Sequence, residues 1–162
     1  MSEKDILLNL WKRESPVTVK VLKAFPADKG DWKPHDKSRT AKQLAWVIAG
    51  EEVVFVDGAL TGTVDFSKMP DEPGTYAEVV TKYEAMNKDA IGKIVGASEE
   101  DLMKMTQFPT GPKTMGELRR IDLLWMMILD SIHHRGQFSV YVREAGGMVP
   151  SIYGPSADEP WT

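Results

Sequence analysis

The sequence predicts an all-α protein that folds as a four-helix bundle, in one domain covering residues 1–162. Two observations support this fold class. Apolar residues recur at the spacing of a helical face in four segments, and three of these segments begin with a Thr-x-x-Glu/Gln pattern that is typical of a capping box. The alternation of apolar and polar residues that indicates a β-strand is weak throughout. We therefore expect helices packed around one apolar core.

The first two predicted helices carry the clearest boundary signals. The first runs from about Lys4 to Ala24, and Pro16 is expected to kink it or break it locally. The second begins at Thr40, whose capping partner is Gln43. Its apolar face contains one acidic residue, Glu51. The residues of this face are Leu44, Val47, Ile48, Glu51, Val54, Phe55 and Gly58. A carboxylate at the centre of such a stripe indicates a paired or functional group.

The second half of the chain yields its boundaries from capping and turn residues. A connection over residues 61–74 leads to a third helix that begins at Thr75. A short helical piece from Ser98 to about Met105 and a loop over 107–113 follow. The last helix runs from about Met115 to Glu144, behind a capping box of Thr114 and Glu117. From Ile121 to Leu129 the last helix is apolar nearly all round. This pattern predicts burial on every side, with Trp125, Met126 and Met127 in the core, and hence a homodimer in which a second subunit covers part of the helix.

Composition excludes several classes of function. The chain has no cysteine, so disulfides, thiolate nucleophiles and cysteine metal sites are excluded. The net charge is −4 and the basic residues are dispersed, which argues against a nucleic-acid partner. No apolar run approaches the roughly 18 residues of a membrane-spanning helix. The polar beginning, Met-Ser-Glu-Lys-Asp, predicts a cytoplasmic protein.

The most informative stretch lies in the last helix, from Asp130 to Arg143. On a helix, Asp130 and His134 are neighbours one turn apart. The rest of their face is apolar, comprising Leu123, Met127, Phe138 and Tyr141. Leaving the two polar groups buried and unsatisfied would cost about 1–3 kcal/mol each. A partner group or a ligand must therefore compensate them.

This stretch also carries a resemblance to a known family. The run His133-His-Arg-Gly-Gln137 and the tail Val149 to Asp158 are similar to the DinB-like bacterial proteins, as are, more weakly, Trp32–Thr40 and Gln43–Ala49. The resemblance implies an up-down-down-up four-helix bundle that holds a divalent metal with three histidines. Laid onto this sequence, those positions are Val47, Asp130 and His134, so one of the three keeps the family residue.

Two functional interpretations follow. In the first, His134, Asp130 and Glu51 bind a divalent transition metal, which could be Zn, Ni, Mn or Fe; two carboxylates and one imidazole favour iron or manganese over zinc. The resemblance then implies metal-dependent chemistry of the thiol-transferase or hydrolase type on an unidentified small molecule, with Glu51 as a ligand or general base. In the second, the protein is a metal-free small-ligand-binding or structural homodimer. Asp130 and His134 form a buried ion pair there, and Val47 seals the former metal cavity.

The remaining polar residues of the motif have structural interpretations. We expect His133 to donate to a backbone carbonyl or to Asp130, and His35 to lie on the surface. Arg135 either pairs with an acid across the bundle or, with Gln137, contacts an anionic or polar ligand, while Gly136 would permit close helix packing. Anchors are expected in the tail at Ile152, Tyr153 and Trp161.

Overall fold

The computed structural model describes residues 1–162 and is mainly helical. Its elements, in chain order, are α1 (Glu3–Lys23), α2 (Ala41–Thr61), α3 (Tyr76–Gly96), α4 (Glu99–Leu102), β1 (Met105–Gly111), β2 (Thr114–Arg119) and α5 (Arg120–Glu144). Short 3-10 turns at Ala27–Lys29 and Phe66–Lys68 lie in the two long connections. Helix α5 packs against α1 and α2, and α3 packs against the same two helices. Helices α1 and α2 therefore lie diagonally across the bundle from each other.

The capping residues account for where most helices begin. Thr40 and Thr75 each form the predicted capping box, in which Gln43 and Glu78 accept a hydrogen bond from the capping residue's backbone N–H. Helix α1 runs unbroken through Pro16, so no local break occurs there. At the end of α5, Gly146 adopts a φ of 83°, the left-handed conformation that terminates helices. No helix of the protein combines the length and the apolar character that crossing a membrane demands.

The prediction of a purely helical chain is wrong between residues 105 and 119. This segment forms an antiparallel hairpin in which Met105 pairs with Arg119 and Gly111 pairs with Thr114. Its turn places Lys113 at a φ of 59°. The predicted capping box fails because Glu117 lies across the hairpin from Gln107, whose amide donates to it at 2.9 Å. Helix α5 begins instead at Arg120, where the Asp122 carboxylate accepts from the Arg119 N–H.

The hairpin closes one end of the bundle through alternate residues of β1. Thr106 and Phe108 are buried, while their neighbours Met105 and Gln107 are exposed. The Phe108 ring lies 5.6 Å from that of Phe55 on α2, and the Thr106 hydroxyl donates to the carbonyl of Gly62. Burial on one face of an otherwise exposed ribbon stabilises this segment as a strand although its sequence also fits a helix start.

Helix α5 is less completely buried than its sequence predicts. Met127 is buried and Trp125 is partly buried, and Trp125 donates to Glu3. Met126 and Leu129, by contrast, are 39% and 61% exposed. The prediction that Met126 lies in the core is therefore wrong for the single chain, because α1 and α2 cover only two sides of this helix. An apolar strip of α5 faces outwards.

The core consists of two apolar clusters with a polar layer between them. One cluster surrounds Phe25, Tyr76 and Phe138, and the other surrounds Trp11, Phe55 and Leu124. At middle height, buried polar side chains come from all four long helices: Glu14, Ser15 and Thr18 from α1, Glu52 from α2, Asn87 from α3, and Arg135 from α5. Because buried polar groups are costly when unpaired, their hydrogen bonds fix how the helices are rotated against each other.

The ion pair between Glu14 and Arg135 ties α1 to α5 within this layer. The Arg135 guanidinium lies 2.8 Å from the Glu14 carboxylate and also donates to the Glu14 carbonyl. The Tyr153 hydroxyl of the C-terminal tail donates to the same carboxylate, and its ring lies over the guanidinium. Arg135 therefore pairs with an acid across the bundle as predicted. In the tail, Ile152 packs against the core, and Tyr153, although 65% exposed, is held through its hydroxyl by Glu14 and Arg135. Trp161 is equally exposed and has no such contact, so its predicted anchoring is wrong.

Replacing Arg135 with Met should lower the free energy of unfolding by up to about 3–5 kcal/mol, because the buried Glu14 carboxylate would keep only the exposed Arg13 and the Tyr153 hydroxyl as partners. Urea denaturation followed by circular dichroism at pH 7 measures this loss. The double variant Glu14→Leu/Arg135→Met should recover a large part of it. As a control, Lys93→Met removes the exposed Asp89–Lys93 pair and should change stability by less than about 1 kcal/mol. Equal losses of stability in Arg135→Met and Lys93→Met would contradict a structural role for the buried ion pair.

The same carboxylate should contribute to acid unfolding. Burial raises the pKa of Glu14, but the hydrogen bonds from Tyr153 and Arg135 outweigh it and hold the pKa below the ordinary value of 4.5. The folded state therefore binds the proton less readily than the unfolded state, so this stabilisation is complete above pH 4.5 and is lost as the pH falls further.

The stability difference between wild type and Glu14→Gln should accordingly shrink as the pH falls from 6 towards 3, as measured by urea titrations at each pH. The glutamine has no charge to lose, so only the wild type gives up this contribution. A difference that stays constant across this range would show that Glu14 has the same pKa in the folded and unfolded states.

Candidate metal centre

Glu51 lies on α2 where that helix faces α5. It is largely buried, and its Oε2 atom has no hydrogen-bond partner. An orphaned carboxylate oxygen inside a protein is uncommon, because its desolvation is then uncompensated. The predicted importance of this residue therefore has a structural counterpart in a buried carboxyl oxygen without a hydrogen-bond partner.

Asp130 and His134 face Glu51 from one side of α5. The His134 Nε2 atom lies 3.2 Å from the Asp130 Oδ2 atom, one helical turn away. One ligand atom from each of Glu51, Asp130 and His134 lies within 4.8 Å of the other two. The His134 ring is 13% exposed and the Asp130 side chain is 47% exposed. The three residues predicted from the sequence are thus brought together, with the aspartate on the solvent side.

The electrostatics of this cluster are unfavourable as it stands. Burial raises the pKa of Glu51 to about 8, and the facing carboxylate of Asp130 adds to the rise, while the Arg39 guanidinium opposes it. Two carboxylates cannot donate hydrogen bonds to each other unless one of them holds a proton. A bound cation relieves the same conflict, because it supplies the positive charge that both acceptors lack.

Gln137 orients the imidazole of His134. Its amide oxygen lies 2.9 Å from the His134 Nδ1 atom, which suits an N–H donor at that position. The Nε2 atom is then left with its lone pair on the side of Asp130. Metal-binding histidines are usually held in this way, with one ring nitrogen donating to an outer acceptor and the other facing the ion. Gln137 therefore contacts the site through the histidine.

Other predicted residues lie outside the cluster. Val47 is half-buried one turn before Glu51 on α2. His133 is exposed and makes neither of the predicted hydrogen bonds. His35 lies on the surface as predicted, where its ring accepts from the Lys37 N–H. Gly136 is exposed, and a Cβ atom placed on it would have no neighbour within 4 Å, so its predicted role in close packing is wrong.

Sequence reasoning missed Glu52, the residue next to Glu51. Its carboxylate is 1% exposed and accepts hydrogen bonds from Trp11, Tyr83 and Asn87. Burial raises the pKa of Glu52 to about 7, against the lowering effect of these donors. The spacing of Glu52 from the buried residues Ile48, Phe55 and Ala59 places it on a helical face, so periodicity offered a signal that the more conspicuous Glu51 stripe obscured.

The two glutamates divide between two tasks because consecutive helical residues point about 100° apart. Glu52 points into the polar layer, where Asn87 donates to both of its oxygens at 3.0 and 2.9 Å. Glu51 consequently points towards α5. The contacts of Glu52 with α1 and α3 thereby fix the rotation of α2 that presents Glu51 to Asp130 and His134.

An open groove begins at the cluster and extends over the outer surface. It has a volume of about 400 Å³ and is lined by Phe55, Met126, Leu129, Asp130 and His133. Asp130 belongs to both the cluster and the groove. The space beside the cluster is therefore mainly apolar, with its polar residues at the end where Asp130 lies.

In helical bundles, metal sites are built from side chains on facing helices, and Glu51, Asp130 and His134 form a possible group of this kind between α2 and α5. The sequence model of the DinB family matches residues 1–161, and the chain belongs to this family. The uncharacterised protein YrdA of Bacillus subtilis (strain 168) is 24% identical over 156 residues, covering 96% of this chain and 90% of that protein.

Two solved structures share the fold. The crystal structure of the DinB-like protein YjoA from Bacillus subtilis has a TM-score of 0.75 at 19% sequence identity, covering 91% of this chain and 96% of that one. A DinB-like protein from Bacillus cereus ATCC 10987 has a TM-score of 0.74 at 23% identity, covering 91% and 95% of the two chains. These likenesses establish the fold of the family for this chain.

The Glu52 network makes a specific prediction about Asn87. Replacing Asn87 with Asp keeps the shape of the side chain but substitutes an acceptor for the donor that Glu52 and Ser15 require. We expect a loss of at least about 2–3 kcal/mol in the free energy of unfolding at pH 7, because a second buried carboxylate would face the first. Chemical denaturation measures the loss.

The matched control is Asn9→Asp, which makes the same substitution at an exposed position of the same bundle. It should leave stability nearly unchanged, within about 0.5 kcal/mol. If both variants behaved alike, the buried amide of Asn87 would not be supporting Glu52.

Proposed function

We propose that this DinB family protein binds one divalent transition metal through Glu51, Asp130 and His134 and uses it in group transfer or hydrolysis of the thiol-transferase or hydrolase type. The observation that carries the proposal is the convergence of one ligand atom from each residue to within 4.8 Å around an orphaned oxygen of Glu51. Carboxylate and imidazole donors suit iron, manganese, nickel or zinc.

The donor set fits a cation better than it fits the alternative of an ion pair. A pair between Asp130 and a charged His134 would satisfy those two groups, but Glu51 would then have to hold a proton to hydrogen bond with Asp130, and the pKa of Glu51 is raised accordingly, by burial and by the facing carboxylate. A shared cation satisfies all three residues at once. Family membership adds support, because the resemblance implies a metal at the positions of Asp130 and His134.

In the bound state the metal would polarise a substrate oxygen or lower the pKa of a bound water or thiol. The residues of the chain have separate roles around it. His134 is held by Gln137 with its Nε2 atom facing the site, and Asp130 lies at the solvent side, where a substrate arrives. Glu51 acts as the third ligand or, if the metal is held by the other two, as a general base that takes a proton from the nucleophile.

Metal content tests the proposal directly. Tag-free wild-type protein, incubated with Zn, Ni, Mn or Fe and then dialysed, should retain near-stoichiometric metal in elemental analysis. Glu51→Gln and His134→Ala should each lose it, because each removes one of three ligands. His133→Ala serves as the matched control, since it removes the neighbouring, exposed histidine and should leave the metal content unchanged.

A wild-type protein that stays metal-free in excess of all four ions would overturn the proposal. It would favour the other interpretation, in which the bundle binds a small ligand or serves a structural role without metal. Val47 supports that interpretation, because an apolar side chain stands where the family resemblance implies a histidine.

We further propose, from the sequence, that the four long helices run up-down-down-up in a single domain and that the protein acts in the cytoplasm without nucleic-acid partners. The long connection between α2 and α3 supports the helix order. Homodimerisation stays a prediction. The exposed Val140 side chain, which lies on α5 outside the groove at Asp130, supports it.

A further inference from the structure

The groove beside the proposed metal centre has a definite polarity. Its floor and walls come from Phe55, Met126 and Leu129, and its polar residues are Asp130 and His133. It is an open groove of about 400 Å³ and shares with small-molecule sites a mainly apolar lining with a few polar groups that can fix orientation. Because Asp130 also belongs to the metal cluster, one molecule can reach both.

We infer that the substrate of this protein carries a compact apolar group, alkyl or aryl, attached directly to the polar group that reacts at the metal. This inference rests on the proposed metal function and goes further by naming the substrate class. The apolar group lies along Phe55, Met126 and Leu129, and the reacting group lies at Asp130. A purely polar substrate would leave these apolar side chains in contact with water.

The apolar side chains of the groove are adjacent to one another, unlike single apolar residues scattered over a protein surface. Met126 and Leu129 lie three residues apart on α5, and Asp130 and His133 follow them at four residues each, so the four side chains share one side of the helix. Phe55 on α2 is 8% exposed and forms the floor, with the Phe66 ring packed edge-on against it. The apolar surface therefore spans two helices and ends at the metal ligands.

Alkyl hydroxamic acids of increasing length offer a sharp test, because the hydroxamate group chelates metal ions while the chain samples the groove. The protein would be loaded with Zn²⁺, which has no redox chemistry. Isothermal titration calorimetry would then compare acetohydroxamate with the butyl, hexyl and phenyl analogues. Affinity should rise about two- to fourfold per added methylene until the groove is filled, in line with the burial of apolar surface.

Substitutions in the groove test where the alkyl chain of the hydroxamate binds. Met126→Gln/Leu129→Asn replaces both groove side chains with polar ones of similar shape and should flatten the dependence of affinity on the length of the alkyl chain. Val140→Asn is the control, because Val140 is an exposed apolar residue of the same helix that does not line the groove. This control should keep the wild-type dependence on chain length.

The possible outcomes separate this inference from the proposed function. Tight binding of acetohydroxamate with no gain from longer chains would overturn the apolar substrate while leaving the metal centre intact. If affinity still rose with chain length in Met126→Gln/Leu129→Asn, the inference would also be overturned, because the alkyl chain would then bind outside the groove. Failure of the protein to take up any of Zn, Ni, Mn and Fe would overturn the proposed function and this inference with it.

Light scattering on the same samples measures the oligomeric state and so tests whether a second copy of the protein fills the groove. A wild-type dimer that becomes monomeric in Met126→Gln/Leu129→Asn, together with flat hydroxamate affinities, would assign the groove to a second copy of the chain. That result would overturn the inference of an apolar substrate group.

Discussion

The buried ion pair between Arg135 and Glu14 is the constraint on which the rest of the structure depends. A guanidinium in the centre of a bundle is tolerated only where acceptors surround it, and here α1 and the tail supply them. Its partners fix the rotation of α5 about its own axis. Because His134 precedes Arg135 in the chain, the same rotation places the imidazole between α5 and α2.

A parallel constraint operates on α2 through Glu52. Its carboxylate is held by donors on α1 and α3, and the adjacent Glu51 is thereby turned towards α5. Neither α1 nor α3 contributes a residue to the candidate metal centre, yet both determine its geometry. The polar layer thus links a structural requirement, the pairing of buried charges, to the arrangement of Glu51, Asp130 and His134 at the edge of the bundle.

The chain has the fold of the DinB family, but the candidate metal-binding residues differ from the three histidines that the family resemblance implies. Helical periodicity and capping are shared by many sequences, which is why the fold persists at 19% identity with a solved relative. A metal centre depends on a few side chains. Asp130 stands where the resemblance implies a histidine, and Glu51 lies one turn after Val47, so the proposed centre would be harder and more negatively charged than one of three histidines.

The sequence by itself determined the helical class, the capped starts at Thr40 and Thr75, and the candidate cluster of Glu51, Asp130 and His134, because each follows from spacing along one or two helices. Tertiary structure decided what spacing leaves open. The hairpin at 105–119 forms because Phe108 finds a partner in Phe55, a contact between residues far apart in the chain. The buried role of Glu52 likewise depends on donors from other helices, and local sequence patterns carry no information about which helices will meet.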